Sequence, residues 1–255
     1  MTLLYDSQSL VGRYVTKLVR NPTLLGTNLA TPLLFLLLFS QLLTKFGEFL
    51  PAASGGYLAF LTPGVIIFSA MIAAPQGAVS LVNDLNSGFL SKMLLTQANR
   101  SAILLGRLVT DMLVAVLEAV LTILLAVAMG VQFSAGIPGI LLILLTVALF
   151  EFGLSGIFLA VGIRTRKTET ISAVSGVIFF PLIFISSAMF PLSFFPSWAQ
   201  TISNYNPVSY ASDVTRDLVG GGLTLATLAS AYVLIGALAA ITFGATLYQF
   251  RKVVS

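Results

Sequence analysis

Three acidic side chains stand in stretches almost free of other charge: Asp111, Glu118 and Glu151. Asp111 and Glu118 are seven residues apart, which puts them on one face of a helix. An ionised carboxylate at the middle of a bilayer costs about 2.5–3.5 kcal/mol on insertion scales. Such groups are therefore protonated, paired or turned to a polar cavity. The nearest partner for Asp111 is Arg107, four residues earlier. Their chemistry could be a proton relay or a translocation surface, or only hydrogen bonding between helices; spacing leaves both open. A second charge cluster lies in "NPVSYASDVTRDLVGGG", residues 206–222, where Asp213, Arg216 and Asp217 fall within five positions. The chain holds no histidine and no cysteine, so imidazole bases, thiolate metal sites and disulfides are excluded. No residue is assigned to catalysis or to metal ligation.

The run "GLSG", Gly153 to Gly156, matches the G-x-S-G nucleophile motif of rhomboid intramembrane proteases. That chemistry needs a histidine to take the serine proton. Ser155 is therefore read as unactivated, and Gly153, Ser155 and Gly156 as small residues that let helices approach. Gly236, Ala240 and Gly244 carry the same small-xxx-small spacing in the last apolar run.

These residues need elements to hold them, and composition says which. Of 255 residues, 57% are hydrophobic and only 9% charged, with a mean hydropathy of +1.01. Soluble domains carry about 25% charged residues, so this is an integral membrane protein. A spanning helix takes about 20 mostly apolar residues. Six stretches qualify: 24–44, 58–81, 103–130, 138–163, 171–191 and 223–250. The first is too long for a cleaved signal and follows a basic segment, so it reads as a retained anchor.

With the N-terminus in the cytoplasm, Arg13, Lys17, Arg20, Lys92, Arg100, Arg107, Arg164, Arg166, Lys167, Arg251 and Lys252 fall on the cytoplasmic side. Only Lys45 and Arg216 fall outside. This asymmetry favours six spans with both termini inside. It also accounts for the pI near 9.5 without nucleic acid. No G-x-x-x-x-G-K-[ST] loop occurs, so ATP is not bound here by that route. The whole of 1–255 reads as one transmembrane permease domain.

Three shorter segments complete the plan. In "SLVGRYVTKLVR", within 1–22, apolar residues recur at helical spacing while Arg13, Lys17 and Arg20 take the other face. This predicts an amphipathic helix in the cytoplasmic interface. The loop 83–101 predicts a short helix, capped by Asp84 or Ser87, with Leu85 at its start and Phe89, Leu90, Met93 and Leu94 on one face. It either docks another protein or lies back on the membrane. The segment 192–222 predicts a short two-faced outer helix begun by Asn206-Pro207. Pro207, Tyr210, Ala211, Val214 and Leu218 take one face. Ser209, Ser212, Asp213, Arg216 and Asp217 take the other, expected to turn to water or a cavity, with Arg216 pairing to Asp213. Pro181 is expected to kink the fifth span.

"MFPLSFFPSWAQTISNYNPVSYASDVTR" resembles the outer segment of the permease subunits of type-2 ABC transporters, a family that includes drug, polysaccharide and lipid exporters. "RNPTLLGTNLATPLLFLLLF" is similar to its first-span approach, and "LLTQANRSAILLGRL" to the stretch after its cytoplasmic loop helix. Lys92 and Thr96-Gln97 depart from that family's loop-helix pattern. The resemblance implies an all-α membrane permease with a short re-entrant outer helix. It implies export of a hydrophobic or amphipathic substrate, such as a drug, lipid or lipid-linked glycan. It also implies a second permease copy as homodimer and two copies of a separate ATPase that binds ATP and Mg. Asp84, Leu85, Phe89, Leu90, Met93, Leu94 and Arg100 would then be the coupling helix, and the setting an inner, plasma membrane of a prokaryote. The rival reading is an ion-coupled carrier using Glu118 and Glu151.

Overall fold

The computed structural model describes Val11, Gly12 and Thr16 and residues 22–49, 56–88, 100–222 and 225–254. The chain is all-helical over these residues. The helices are α1 Pro22–Leu42, α2 Gly56–Asn86, α3 Arg100–Ala128, α4 Gly136–Thr165, α5 Thr168–Phe184, α6 Ser197–Ser203, α7 Pro207–Gly220 and α8 Leu225–Val254. Two 3₁₀ turns, Thr44–Phe49 and Leu192–Phe194, precede α2 and α6.

Contacts between helices fix their relative directions. Ser155 of α4 lies 3.4 Å from the Ala74 carbonyl of α2, and further along Gly162 packs against Ala78 and Val82. So α2 and α4 run parallel. Thr146 meets Tyr232 of α8 at 3.0 Å, and Thr246 donates to the Gly156 carbonyl at 2.7 Å. So α8 runs the same way. The other three run opposite to α2. The Phe35 ring of α1 lies 5.0 Å from that of Phe68, tilted against it, while Thr44 shares a crevice with Tyr57. Asp111 of α3 abuts Gly77, while Gly130, just past its end, lies beside Phe60. Ile171 of α5 abuts Gly162, while Ala188 beyond its end abuts Gly64. Six helices thus alternate in direction. Arg164, Arg166 and Lys167 mark one end, and α6 and α7 the other.

Among the described residues, four helical stretches are long and apolar enough to cross a bilayer: Gly56–Asn86, Ile103–Ala128, Gly136–Thr165 and Leu228–Phe250. The two other expected spans appear as shorter apolar helices, Ala30–Leu42 and Thr168–Phe184. The fifth ends seven residues earlier than the sequence suggests. Pro181 sits within its last turn, and the chain then leaves the helix through Ser186 and Ser187. A helix of 17 residues is about 25 Å long, short of the roughly 30 Å hydrocarbon core.

α2 is the hub of the core. Leu61, Val65, Ile66, Ile67, Ala70 and Met71 have no solvent exposure. Its glycines allow the closest approaches. A Cβ on Gly64 would strike the Ala188 carbonyl oxygen, and one on Gly77 the Asp111 carboxylate. On α4, Gly153 and Gly156 lie against Leu238, Ala239 and Thr242 of α8, as their spacing suggested. The matching stripe on α8 does not serve that role. Gly236 and Gly244 have nothing within 4 Å of a Cβ, and Ala240 is exposed. The buried residues of α8 include Ala231, Ile235, Ala239, Thr242, Thr246 and Phe250, and α4 meets Ala239, Thr242 and Thr246.

Candidate functional site

The loop after α5 leaves backbone groups without helical partners, and in an apolar setting each needs one. α7 supplies them. Asn206 caps α7, its Oδ1 accepting from Val208 N at 2.9 Å, and Pro207 fills the first helical position. The same side chain donates from Nδ2 to the carbonyls of Leu182 and Ile185, at 2.7 and 2.8 Å. One amide therefore closes the end of α5 and the start of α7. At the far end Gly221 adopts φ 76° and closes α7 in the left-handed conformation. Ser134 N donates to the Val219 carbonyl at 2.9 Å, tying α7 to the α3–α4 turn.

The polar face of α7 turns to a cavity, one of its two expected settings, at Arg216 and Asp217, and elsewhere departs from expectation. Ser209 and Ser212 are buried, and Asp213 and Arg216 only partly exposed. Instead of meeting water, this face meets the broken backbone after α5. Ser187 Oγ and Arg216 Nη1 both donate to Asp213 Oδ1, each at 2.6 Å. Arg216 Nη2 donates to the Ser187 carbonyl at 2.7 Å, and its guanidinium lies 4.1 Å from the Phe60 ring centre. The expected Asp213–Arg216 pair is present. Its hydrogen bonds to the α5–α6 connection and its stacking on α2 are not visible in spacing.

Asp217 is left outside this network. With Phe60, Gln132, Ser134, Arg216 and Gly220 it lines a cavity of about 500 Å³ between α2, α7 and the α3–α4 turn. Burial raises its pKa first, the Asp213 charge raises it further, and Arg216 opposes both. Tyr210 is exposed at its hydroxyl, which donates to the Asn204 carbonyl at 2.7 Å. Trp198 and Tyr205, interfacial by type, are strongly exposed at this end.

The three acids lie inside the bundle. Asp111 pairs with Arg107 as expected, at 2.6 Å (Nη2) and 3.2 Å (Nε). Glu151 accepts from Ser155 Oγ at 2.8 Å. Both oxygens of Glu118, 1% exposed, lack a hydrogen-bond partner among the described residues. Counting along α2 from the Gly77–Asp111 and Ala74–Ser155 contacts puts Glu118 and Glu151 both level with Ala70. Ser155, far from being a nucleophile, bridges α4 to α2.

At the basic end, Asp84 and Leu85 belong to the last turn of α2, and Asp84 is buried. The connection to α3 therefore starts at Ser87, and the short helix that Asp84 or Ser87 was expected to cap lies outside the described residues. Ser87 Oγ donates back to the Asp84 carbonyl at 3.2 Å. Arg100 opens α3. Phe89, Leu90, Met93 and Leu94, with Arg13, Lys17 and Arg20, lie outside the described residues.

Residues 5–219 match the family model for the ABC-2 type transporter. The chain belongs to the ABC-2 type transporter family. Among curated proteins, it is 30% identical over 190 residues to the daunorubicin resistance ABC transporter permease protein DrrB1 of Streptomyces coeruleorubidus, covering 74% of this chain and 66% of that protein. It is 32% identical over 214 residues to the ycf38 transport permease of Cyanophora paradoxa, covering 82% and 72%. The ABC-2 match takes in the whole network from Phe60 through Ser187 to Arg216, and α7 as far as Val219. This ABC-2 chain is a multi-pass membrane protein of the permease class.

Proposed function

We propose that the chain is the transmembrane subunit of an ATP-driven exporter, with six spans and both termini in the cytoplasm. Membership in the ABC-2 family carries the reading. The alternation of six helices, with the basic cluster at one end and α7 at the other, supports it. α1 and α5 would cross the bilayer as the short spans. α7 would be the re-entrant outer helix between the fifth and sixth.

A separate ATPase, present in two copies and holding ATP and Mg, would supply the energy. The loop helix including Phe89, Leu90, Met93 and Leu94 would seat in it, with the basic N-terminal helix alongside. Two permease copies would form the pathway, in a prokaryotic plasma membrane. The cargo is apolar or amphipathic, a drug, lipid or lipid-linked glycan. An aromatic cleft of about 330 Å³, lined by Phe35, Phe68, Ile72, Phe179, Phe180 and Phe184, supports this choice.

Purification of the tagged chain tests the proposal. A P-loop ATPase should accompany it, and Leu94→Asp or Arg100→Glu should release that subunit while the permease still inserts. Transport that persists without any ATPase and collapses with the proton gradient would overturn this reading. It would favour the ion-coupled carrier, for which the unpartnered carboxylate of Glu118 is the supporting observation. Under the exporter reading, Glu118→Gln leaves ATP coupling intact.

A further inference from the structure

α4 and α8 run side by side, and their contact changes character along its length. Towards the outer end it is closed: the hydroxyls of Thr146 and Tyr232 meet, and Gly153 and Gly156 admit Leu238, Ala239 and Thr242. Towards the basic end the facing residues are Ala160 and Ala245, too small to fill the space. A crease of about 290 Å³ remains, lined by Ile157, Val161 and Ile241 as well. It lies on the perimeter of the bundle, where Ile241 is 71% exposed and Ala245 is exposed. In a bilayer that perimeter meets lipid.

The crease runs from Gly156 to Arg164 on α4. Eight residues of helix measure about 12 Å, close to half of a 30 Å hydrocarbon core. That length suits one acyl chain of the adjacent leaflet with its headgroup level with Arg164. One cation stands at the mouth: Arg164 lines the crease, is exposed and makes no ion pair among the described residues. Gln249 lines the same mouth, and its Oε1 is buried without a hydrogen-bond partner among the described residues. An amide oxygen accepts from a hydroxyl, and a glycerol headgroup carries one. The sequence adds Arg251 and Lys252 just beyond Gln249, while Glu169 is the nearest acid along the chain.

We propose that the α4–α8 crease binds one anionic phospholipid, its acyl chain along Ala160 and Ala245 and its phosphate at Arg164. The choice of the cytoplasmic leaflet rests on the orientation proposed above; the site itself does not. Arg164 at the mouth favours an anionic lipid over the apolar face of a second copy as its occupant.

Native mass spectrometry of the purified full chain, offered phosphatidylglycerol or phosphatidylcholine, tests this without transport or ATPase. Wild type should retain one phosphatidylglycerol in preference to phosphatidylcholine. Arg164→Gln should weaken that retention about fivefold, the effect of one charge at an anionic surface. Ala245→Leu fills the crease with every charge in place and should abolish retention. Gly244→Leu, next to it but with open space around it, should change nothing. Equal retention of the two lipids by wild type, retention unchanged in Ala245→Leu, or a shift in Ala245→Leu from dimer to monomer would each overturn the proposal. A missing ATPase partner would leave this result standing, and loss of lipid retention would leave the exporter reading standing.

Discussion

Asn206 does more than its position advertises. As a helix cap alone it would be replaceable by aspartate, which caps equally well. In the fold its amide nitrogen also serves the Leu182 and Ile185 carbonyls. A carboxylate there would face two carbonyl oxygens with no proton to offer. Asn206→Asp should therefore destabilise the protein at least as much as Asn206→Ala, by about 2–3 kcal/mol, in unfolding measured in mixed micelles. Near-neutral behaviour of the aspartate would reduce Asn206 to a simple cap. Asp217 has a pH signature. Its folded pKa is raised, so folding favours the protonated form. The penalty is absent below the unfolded pKa, grows as pH rises through the folded one, and then stays constant. Asp217→Asn should raise the unfolding midpoint at neutral pH, and the gain should vanish in acid.

Glycines set the spacing of the elements, and their sequence context is a poor guide to which ones matter. Gly64 follows a proline in α2 and belongs to no small-xxx-small stripe, yet the Ala188 backbone rests on it. Gly236 and Gly244 belong to such a stripe and touch nothing. Gly64→Ala should therefore cost about 1–3 kcal/mol by overpacking. Gly236→Ala should be neutral or stabilise by up to about 1 kcal/mol through helix propensity. Paired unfolding curves of the two variants decide it, and equal effects would refute the packing assigned to α2. α7 shows which of its features are local and which are not. Its start, end and internal ion pair follow from Asn206-Pro207, the glycines and the i, i+3 spacing. Its burial depends on a partner, the frayed end of α5, which no local pattern announces.

The whole molecule makes a topological claim that its own composition makes easy to test. The chain lacks cysteine, so single cysteines can be introduced without a background. Lys167→Cys, at the basic end, should react with a membrane-impermeant maleimide only from the cytoplasmic side. Tyr205→Cys, 84% exposed at the other end, should react only from outside. Labelling of both from one side would remove the six-span arrangement. The alternation in helix direction makes opposite exposure the natural outcome, since α4 and α5 meet at Lys167 and the α6–α7 link carries Tyr205.

Sequence alone determined the membrane class, the approximate reach of six apolar segments, the segregation of positive charge and the family, because these depend on composition and local order. Hydrophobic length and charge placement act on each segment separately. It also located the Arg107–Asp111 and Asp213–Arg216 pairs, since one turn of helix brings each together. Tertiary structure decided which side chains close the end of α5 and which glycines carry helix contacts. It also decided that Asp84 belongs to α2, and that a crease opens where Ala160 faces Ala245. Those outcomes depend on partners brought from distant parts of the chain. A backbone carbonyl left free at one helix end, or a gap between two small side chains, exists only once the helices have packed.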